Sequence, residues 1–399
     1  MPPGIISSRW YFAHDILMTE HRLRIVFLIS SLGTGGTERQ LVTLAKALAG
    51  RGWRVTVLVY YPGGAFEPEL KQTDVELISL DKGSRWDIVG FPLRLMRVLR
   101  ALRPDILHGY LPTANLWSLF MRPWLRRVRV VWGVRSSNMD LTRYERMTGV
   151  LYWLEARLSR FADMVICNSR AGMELAAFNK FPVARLRVVP NGIDTVRFCP
   201  DMVIRKKMRA EWGLGDDERL IGIVGRFDPM KDHRTFLEAA ALIAVQASKV
   251  CFVVVGDRPR AYAEELVALA RRLGISQYMI WAKTRKDMET VYNALDISVS
   301  SSSFGEGFPN VVGEAMACGA LCAVTDVGDS AWIVQDTGQV VPPRDPRSLA
   351  SAVLSLLGES ASSRRARSMA ARLRIVSEFS VETLGERTDT LLKGLACLG

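Results

Sequence analysis

Residues 297–324 read ISVSSSSFGEGFPNVVGEAMACGALCAV, and they carry the clearest structural signal in the chain. A short segment at 297–300, in which isoleucine and valine alternate with serine, is followed by a loop of serine and glycine, by apolar residues at helical spacing over 310–317, and by an apolar run at 321–324. Strand, loop, helix and strand in this order form the repeating unit of a parallel sheet covered by helices. The segment therefore predicts an α/β fold whose loop lies at the carboxyl edge of the sheet, where open α/β sheets bind ligands.

The same alternation extends over most of the chain. Strands are predicted at 23–29, 54–59, 105–108, 129–133, 164–167 and 186–189, and again at 220–224, 250–255, 278–281, 297–300 and 321–324. Helices are predicted at 37–50, 88–102, 114–125, 141–160, 169–177, 233–245, 262–273, 288–294, 310–317, 348–357, 363–379 and 381–395. Pro190-Asn191-Gly192 interrupts the pattern, and 399 residues are too many for one hydrophobic core, which stops growing at about 250–300 residues. We therefore predict a flexible leader at 1–22 and two Rossmann-like domains, at 23–190 and 191–380, that face a central cleft.

Composition excludes several classes of protein. Hydrophobic residues make up 49% of the chain and charged residues 24%, which is the balance of a globular protein rather than a disordered or fibrous one. No apolar run reaches the ~18 residues that a membrane-spanning helix needs. Six cysteines without a C-x-x-C spacing favour reduced thiols in a cytoplasmic protein.

An excess of basic residues gives the chain a formal net charge of +12. Eight arginines lie between residues 88 and 129, interleaved with leucine, phenylalanine and tryptophan, and Asp105 is the only acid there. They are Arg94, Arg97, Arg100, Arg103, Arg122, Arg126, Arg127 and Arg129. Such a mixture is typical of a surface that contacts anionic lipid. The alternative is a solvated helix face beside ordinary core residues, and the sequence leaves both open.

Two cations follow the first predicted strand of the second domain. Arg226 and Lys231 lie in the loop at 225–231, at the carboxyl end of the strand at 220–224. There an arginine fork and a lysine point charge can hold a diphosphate. A solvated surface loop could carry the same pair, so this signal is weak when taken alone.

The loop at 300–309 predicts a second part of the same site. It runs into a helix that begins near Pro309, so the free N–H groups of the first turn and the positive end of the helix dipole point into the cleft. A phosphate would repel Glu306 and Glu314, so we expect these carboxylates to accept hydrogen bonds from sugar or ribose hydroxyls. A capping carboxylate and an ordinary helical glutamate are the structural alternative.

A glycine-rich turn, GTGGTE at 33–38, follows the first strand. It lacks the third glycine of the dinucleotide fingerprint G-x-G-x-x-G, and the strand at 54–59 does not end in a ribose-binding acid. Both departures disfavour a nicotinamide-dependent enzyme. We expect the glycines to let the backbone approach a sugar or phosphate from the first-domain wall of the cleft.

Taken together, these motifs resemble those of glycosyltransferase family 4. The resemblance covers almost the whole chain from about Arg24. It rests on Gly35-Gly36-Thr37-Glu38, Cys167-Asn168-Ser169, the segment 189–194, Gly225-Arg226-Phe227 with Lys231-Asp232, the segment 253–257, and above all the segment 301–319, in which Glu306 and Glu314 are separated by seven residues.

The resemblance implies a GT-B fold and a retaining hexosyltransferase that uses an NDP-sugar, with UDP or GDP as the nucleotide. It also implies that there is no metal site or other cofactor, and that a C-terminal helix at 381–399 returns to the N-terminal domain. Catalytic roles are implied for Arg226, Lys231, Glu306 and His108, and donor-binding roles for Gly35, Gly36, Asp257, Phe308, Pro309, Asn310, Val311 and Glu314. Tyr110 stands where many members of the family have a second histidine, which leaves open whether His108 or Tyr110 takes the role of that histidine.

The acceptor is expected to be a saccharide or a polyprenyl-diphosphate-linked saccharide, in the assembly of a bacterial cell-surface polysaccharide. We therefore expect a cytoplasmic protein that can attach peripherally to an anionic membrane surface, at the inner face of the plasma membrane. An NDP-sugar 2-epimerase of the same fold is the alternative function. A basic nucleic-acid-binding protein is a weaker alternative, because no binding motif for nucleic acid is visible, and we expect no nucleic-acid partner.

Overall fold

The structure is a computed structural model that describes residues 22–84, 86–135, 146–256 and 260–397. Seven parallel strands form the first sheet: β1 (Arg24–Ile29), β2 (Arg54–Val59), β3 (Glu76–Ser79), β4 (Ile106–Tyr110), β5 (Arg129–Val134), β6 (Met164–Cys167) and β7 (Leu186–Val188). Their spatial order is β3-β2-β1-β4-β5-β6-β7. The order reverses between β1 and β4, so ligands are expected beyond the carboxyl ends of these strands.

Helices cover both faces of this sheet because its strands are apolar on both sides. In β1 the residues 25–29 are all buried, and successive side chains point to opposite faces, so that Phe27 and Leu28 belong to different cores. The helices are α1 (Gly36–Ala49), α2 (Glu67–Leu70), α3 (Gly90–Leu102), α4 (Leu111–Met121), α5 (Arg146–Leu158) and α6 (Arg170–Phe178).

The second sheet has six parallel strands in the described residues: β8 (Arg219–Val224), β9 (Val250–Val255), β10 (Met279–Ala282), β11 (Ile297–Ser300), β12 (Leu321–Thr325) and β13 (Gln339–Val341). Their spatial order is β10-β9-β8-β11-β12-β13. The accompanying helices are α7 (Met202–Glu211), α8 (His233–Gln246), α9 (Arg260–Arg272), α10 (Met288–Ala294), α11 (Asn310–Ala317), α12 (Ser330–Val334), α13 (Pro346–Gly358) and α14 (Ala361–Glu378).

The chain crosses between the domains twice, and the two crossings lie side by side. Ile193 on the outward crossing forms a parallel bridge with Ser380 on the return. The N–H of Ile193 donates to the carbonyl of Phe379 at 2.7 Å, and the N–H of Val381 donates to the carbonyl of Ile193 at 3.2 Å. The last helix, α15 (Val381–Cys397), then packs against α1 of the first domain.

The predicted α/β fold with two Rossmann-like domains is confirmed, and the two sheets take their strands from residues 24–188 and 219–341. The sequence patterns missed β3 and β13, which are short edge strands. They also missed the short helices α2 and α12, and they gave no bounds for α7. The leader predicted at 1–22 lies outside the described residues except for Arg22. No helix in the described ranges combines the length and hydrophobicity needed to span a bilayer.

Candidate active site

The amino termini of α1 and α11 meet in the cleft between the domains. α1 begins after Gly35 and α11 after Pro309, and neither N-cap residue gives its helix a side-chain hydrogen bond. A carbon atom at the Cβ position of Gly36 would lie 3.5 Å from Nδ2 of Asn310. Because the first N–H groups of a helix lack acceptors within it and lie at the positive end of its dipole, two facing termini form a binding site for an anion.

The loop before α11 is fixed by its neighbours. Phe308 is 5% exposed, and its ring packs on Phe379 with the centroids 5.4 Å apart. Asn310 accepts a hydrogen bond from Nδ2 of Asn191 at 2.9 Å. Of the residues predicted to bind the phosphate, Phe308 and Pro309 are buried, whereas Asn310 and Val311 are partly exposed. Phe308 can therefore contribute only its backbone N–H, and Pro309, which has no N–H, contributes no donor.

Lys231 and Glu306 form an ion pair on the second-domain side of the cleft. Nζ of Lys231 contacts Oε1 of Glu306, and the hydroxyl of Ser302 donates to the same oxygen at 2.6 Å. The lysine side chain is 14% exposed and the glutamate side chain 8%. The sequence suggested separate roles for these two residues, and the structure joins them beside the loop that leads into α11.

Arg226 is the exposed cation of the site. It follows β8, and no carboxylate in the described part of the chain forms an ion pair with it. Within the same part of the chain, no three histidine, cysteine, aspartate or glutamate residues are grouped so that they could hold a metal ion. Asp257, the remaining donor-binding prediction near this strand edge, lies outside the described residues.

Glu314 lines a cavity of about 450 Å³ between α1, the outward crossing and α11. The hydroxyl of Tyr292 donates to Oε2 of Glu314 at 2.8 Å. Burial raises the pKa of the Glu314 carboxyl above its ordinary value, and the hydrogen bond from Tyr292 and the positive charges of Arg39 and Arg197 oppose that rise. Both arginines line the same cavity, so the carboxylate faces a space that is large enough for a ligand group and contains cations.

His108 lies inside the first domain. It belongs to β4, it has no exposed surface, and neither ring nitrogen has a hydrogen-bond partner. Burial, assisted by the positive charge of Arg135, lowers the pKa of the ring well below its ordinary value. Tyr110 is also fully buried, and its hydroxyl accepts a hydrogen bond from Nη2 of Arg135. The structure thus places neither side chain on the cleft surface, and His108 has no surface for a substrate to contact.

Sequence reasoning missed a buried polar group at the ends of β4 and β5. Nδ2 of Asn115 donates to Oε1 of Glu155 at 2.5 Å and to the carbonyl of Gly133 at 3.2 Å, and the N–H of Gly133 donates to Oδ1 of Asn115 at 3.2 Å. Glu155 is 3% exposed, and burial raises its pKa to about 7. This group fixes the backbone of β5 just before Arg135. Its only sequence signal was a glutamate on the apolar side of a predicted helix.

Comparison with known proteins identifies the family. The family model described as Glycosyltransferase Family 4 matches residues 34–197, and the one described as Glycosyl transferases group 1 matches residues 218–359. The chain belongs to glycosyltransferase family 4. This family 4 enzyme is 29% identical over 350 residues to the D-inositol 3-phosphate glycosyltransferase of Mycobacteroides abscessus. The alignment covers 81% of this chain and 77% of that protein.

Solved structures share the architecture of this family 4 glycosyltransferase. Anabaena Alr3699/HepE in complex with UDP-glucose superposes with a TM-score of 0.79 at 21% identity, over 94% of this chain and 100% of that one. WaaG, a glycosyltransferase involved in lipopolysaccharide biosynthesis, superposes with a TM-score of 0.70 at 18% identity, over 93% and 100%. At these identities the likeness supports the GT-B fold alone.

Proposed function

We propose that this glycosyltransferase moves a hexose from a UDP- or GDP-sugar to a saccharide or lipid-linked saccharide acceptor, with retention of the anomeric configuration and without a metal ion. The observation that carries the proposal is the meeting of the two uncapped helix termini at Gly36 and Asn310. Lys231 contacts Glu306 on the loop that leads into α11, and Arg226 follows β8, the strand next to β11 in the same sheet. A diphosphate is the part of such a donor that needs several N–H donors and cations at once. The UDP-glucose bound by Alr3699/HepE agrees with this choice of donor.

In the proposed complex, the diphosphate lies between the two helix termini and accepts hydrogen bonds from their backbone N–H groups. Lys231 and Arg226 stabilise the charge that develops as the bond from the sugar carbon to the diphosphate oxygen breaks. Lys231 is shared between Glu306 and the diphosphate, and this fixes the position of its ammonium group. Glu306 accepts hydrogen bonds from hydroxyls of the transferred sugar. Glu314, facing the 450 Å³ cavity, accepts them from the ribose.

The positions of the charged groups support the proposed retention. An inverting reaction needs a base on the acceptor side, opposite the leaving group, to take the proton of the acceptor hydroxyl. His108 is buried, and the described site residues Arg226, Lys231 and Glu306 all lie on the donor side. We propose instead that the diphosphate oxygen accepts this proton while the acceptor oxygen bonds to the sugar carbon on the face that the diphosphate leaves. An α-linked donor then gives an α-linked product.

A panel of nucleotide sugars tests the donor and the reaction. Thermal shift and hydrolysis with UDP- and GDP-sugars identify the donor, and the anomeric coupling in the NMR spectrum of the product reports the configuration. We expect an α-linked product and full activity in EDTA. A β-linked product from an α-donor, or activity that EDTA abolishes and manganese restores, would reject this mechanism. An NDP-sugar epimerised at carbon 2, formed without any acceptor, would indicate the epimerase instead.

The outer face of α3 supports a membrane-associated acceptor. Leu93 is 62% exposed, and Arg97 and Arg100 are exposed on the same side of the helix, at spacings of four and three residues. Trp124, which follows α4, is 54% exposed, and the neighbouring Arg126 is exposed too. A face with apolar, aromatic and arginine side chains binds the interface of an anionic bilayer. We therefore propose that the first domain attaches peripherally to the inner face of the plasma membrane and takes a polyprenyl-diphosphate-linked saccharide there.

Not all eight arginines of the 88–129 segment contribute to this face. Arg94 is paired with Asp87 at 2.5 Å, and both Arg122 and Arg129 pair with Asp163. The other five are exposed and have no ion pair in the part of the chain that the structure describes; they are Arg97, Arg100, Arg103, Arg126 and Arg127.

Sedimentation with vesicles tests the membrane proposal. The enzyme should bind vesicles that contain an anionic phospholipid and leave them as salt rises, because the attraction is about 1 kcal/mol per basic residue and is screened within a Debye length. The double variant R97E/R100E should lose this binding. R94E is the control, since Arg94 is paired with Asp87 and lies off the proposed face. A loss of vesicle binding in R94E as well would indicate that misfolding of the domain, and not the exposed arginines, is the cause. Equal binding to neutral and anionic vesicles would contradict the proposal.

A further inference from the structure

Asp329 caps a helix that is not its own. It lies where the loop after β12 enters α12, and it is 3% exposed. An aspartate at this position usually accepts hydrogen bonds from the first N–H groups of the helix that follows it, but Asp329 makes no such bond to α12. Its Oδ2 accepts from the N–H of Arg170 at 2.8 Å, and its Oδ1 accepts from the N–H of Ala171 at 3.0 Å. These residues begin α6 in the other domain, so a carboxylate of the second domain caps a helix of the first.

The first three backbone N–H groups of α6 bind acceptors from both domains. Ser169, the N-cap residue of α6, accepts from the N–H of Gly172 at 2.9 Å, so it serves the third N–H group while Asp329 serves the first two. The negative charge of Asp329 also lies at the positive end of the α6 dipole. A second contact reinforces the first, because the guanidinium carbon of Arg170 lies 4.0 Å from the ring centroid of Trp332.

The same loop touches the segment that carries Glu306. The N–H of Asp329 donates to the carbonyl of Gly307 at 2.9 Å. The preceding residue, Gly328, has φ of +60°, and a Cβ there would lie 2.5 Å from the carbonyl oxygen of Glu306. From the first domain, the hydroxyl oxygen of Ser169 would lie 3.3 Å from a Cβ on Gly307. The donor-binding loop is therefore enclosed between the Asp329 loop and the beginning of α6.

We propose that Asp329 is a positioning residue for glycosyl transfer. By capping α6, it holds the first domain against the loop that carries Glu306, in the arrangement where the terminus of α1 faces that of α11. It touches no substrate, and it acts through the relative position of the two walls of the site. The effect on turnover rests on the proposed function, whereas the effect on the arrangement of the domains does not.

The test compares three variants of the full chain. Asp329→Ala removes both acceptors. Asp329→Asn keeps the shape and one acceptor oxygen but puts an amide NH2 group where the other oxygen was. Asp326→Ala is the matched control, since it removes an exposed carboxylate of the same loop that makes no side-chain hydrogen bond or ion pair in the described residues. Hydrogen exchange of the first α6 amides, small-angle scattering, and kcat and KM for the donor are measured on each.

We expect faster exchange at the Arg170 and Ala171 amides and a larger radius of gyration in Asp329→Ala. We also expect kcat to fall on the order of 10- to 100-fold, because a misplacement of about 1 Å between reacting groups costs that much. The affinity for UDP or GDP should fall less than kcat does, since the displaced α1 terminus is only one of the proposed partners of the diphosphate, and Arg226, Lys231 and α11 all belong to the second domain. A merely structural role would lower the thermal stability without this split between kcat and nucleotide affinity.

The proposal is overturned if Asp329→Ala matches Asp326→Ala in the exchange of α6 and in kcat. If Asp329→Ala does not fold, Asp329→Asn decides, and control-like exchange and turnover in that variant overturn the proposal too. A wild-type enzyme that transfers no sugar from any UDP- or GDP-sugar would reject the proposed function, and exchange and scattering would still decide whether Asp329 holds the domains together.

Discussion

Removing Lys231 should weaken both the fold and the reaction, whereas removing Arg226 should weaken only the reaction. Lys231 and Glu306 are an ion pair whose side chains are 14% and 8% exposed, so Lys231→Ala leaves a buried carboxylate without its cation. Breaking a buried pair in this way costs about 3–5 kcal/mol. We expect the lower end of that range, because the hydroxyl of Ser302 still donates to Glu306. Arg226 is exposed and has no ion pair in the described part of the chain, so Arg226→Ala should leave the stability unchanged.

Both variants should lose on the order of 10²-fold or more in kcat/KM, because each removes a cation from the proposed diphosphate site. Urea unfolding without nucleotide measures the stability, and initial rates with the identified donor measure the activity. The double variant K231A/E306Q provides the control, since it removes the uncompensated charge and should recover most of the lost stability but none of the activity. Equal stability of Lys231→Ala and Arg226→Ala would refute the ion-pair argument, and wild-type turnover in both would refute the donor assignment.

Two further changes test other parts of the structure. Burial raises the pKa of Glu155 from 4.5 to about 7, so the folded protein binds this proton more tightly than the unfolded chain does. The free energy of unfolding therefore contains a contribution from Glu155 that is present below pH 4.5 and is lost as the pH rises to about 7. For a pKa shift of this size the contribution is up to about 3 kcal/mol. Glu155→Gln should therefore be more stable than the wild type at pH 8. It should also remove the decrease of the unfolding free energy between pH 4 and 8, measured by urea unfolding. An unchanged decrease would contradict the assignment of this pH dependence to Glu155. Gly36→Leu should abolish the binding of UDP and GDP, measured by calorimetry, without changing the melting temperature. The leucine side chain would extend from α1 toward Asn310 and fill the space between the two helix termini. Wild-type affinity in this variant would show that the anion site lies elsewhere.

Most of the fold could be predicted because its strands are buried on both faces. β1, β9 and β12 are almost continuous apolar runs bounded by turns, and such runs in alternation with amphipathic helices have few other interpretations. The two missed strands are the edges of their sheets. β3 contains Glu76 and β13 contains Gln339, and each has a neighbour on only one side, so neither needs a long apolar sequence.

The candidate site was less predictable, since its parts come from separate loops. The sequence placed Lys231 and Glu306 at the same cleft, because both follow strands of one sheet, but it contained no sign that they would pair. His108 was expected at a strand end, and the structure buries its ring against Phe27 and Tyr110. In a strand that is buried on both faces, the hydrophobic pattern does not show which polar side chain reaches the cleft.

The relative position of the two domains depends on contacts that leave even less trace in the sequence. The bridge between Ile193 and Ser380 joins backbone to backbone, and the cap from Asp329 joins a carboxylate to two backbone N–H groups of α6. Every residue has a backbone carbonyl and every residue except proline has a backbone N–H, so the side-chain pattern does not show which of these groups form such contacts. Yet in the proposed site one diphosphate binds to helix termini from both domains, and the productive geometry therefore depends on these contacts to within about an ångström. We therefore expect Asp329, which touches no substrate in the proposed site, to affect turnover nearly as strongly as Lys231.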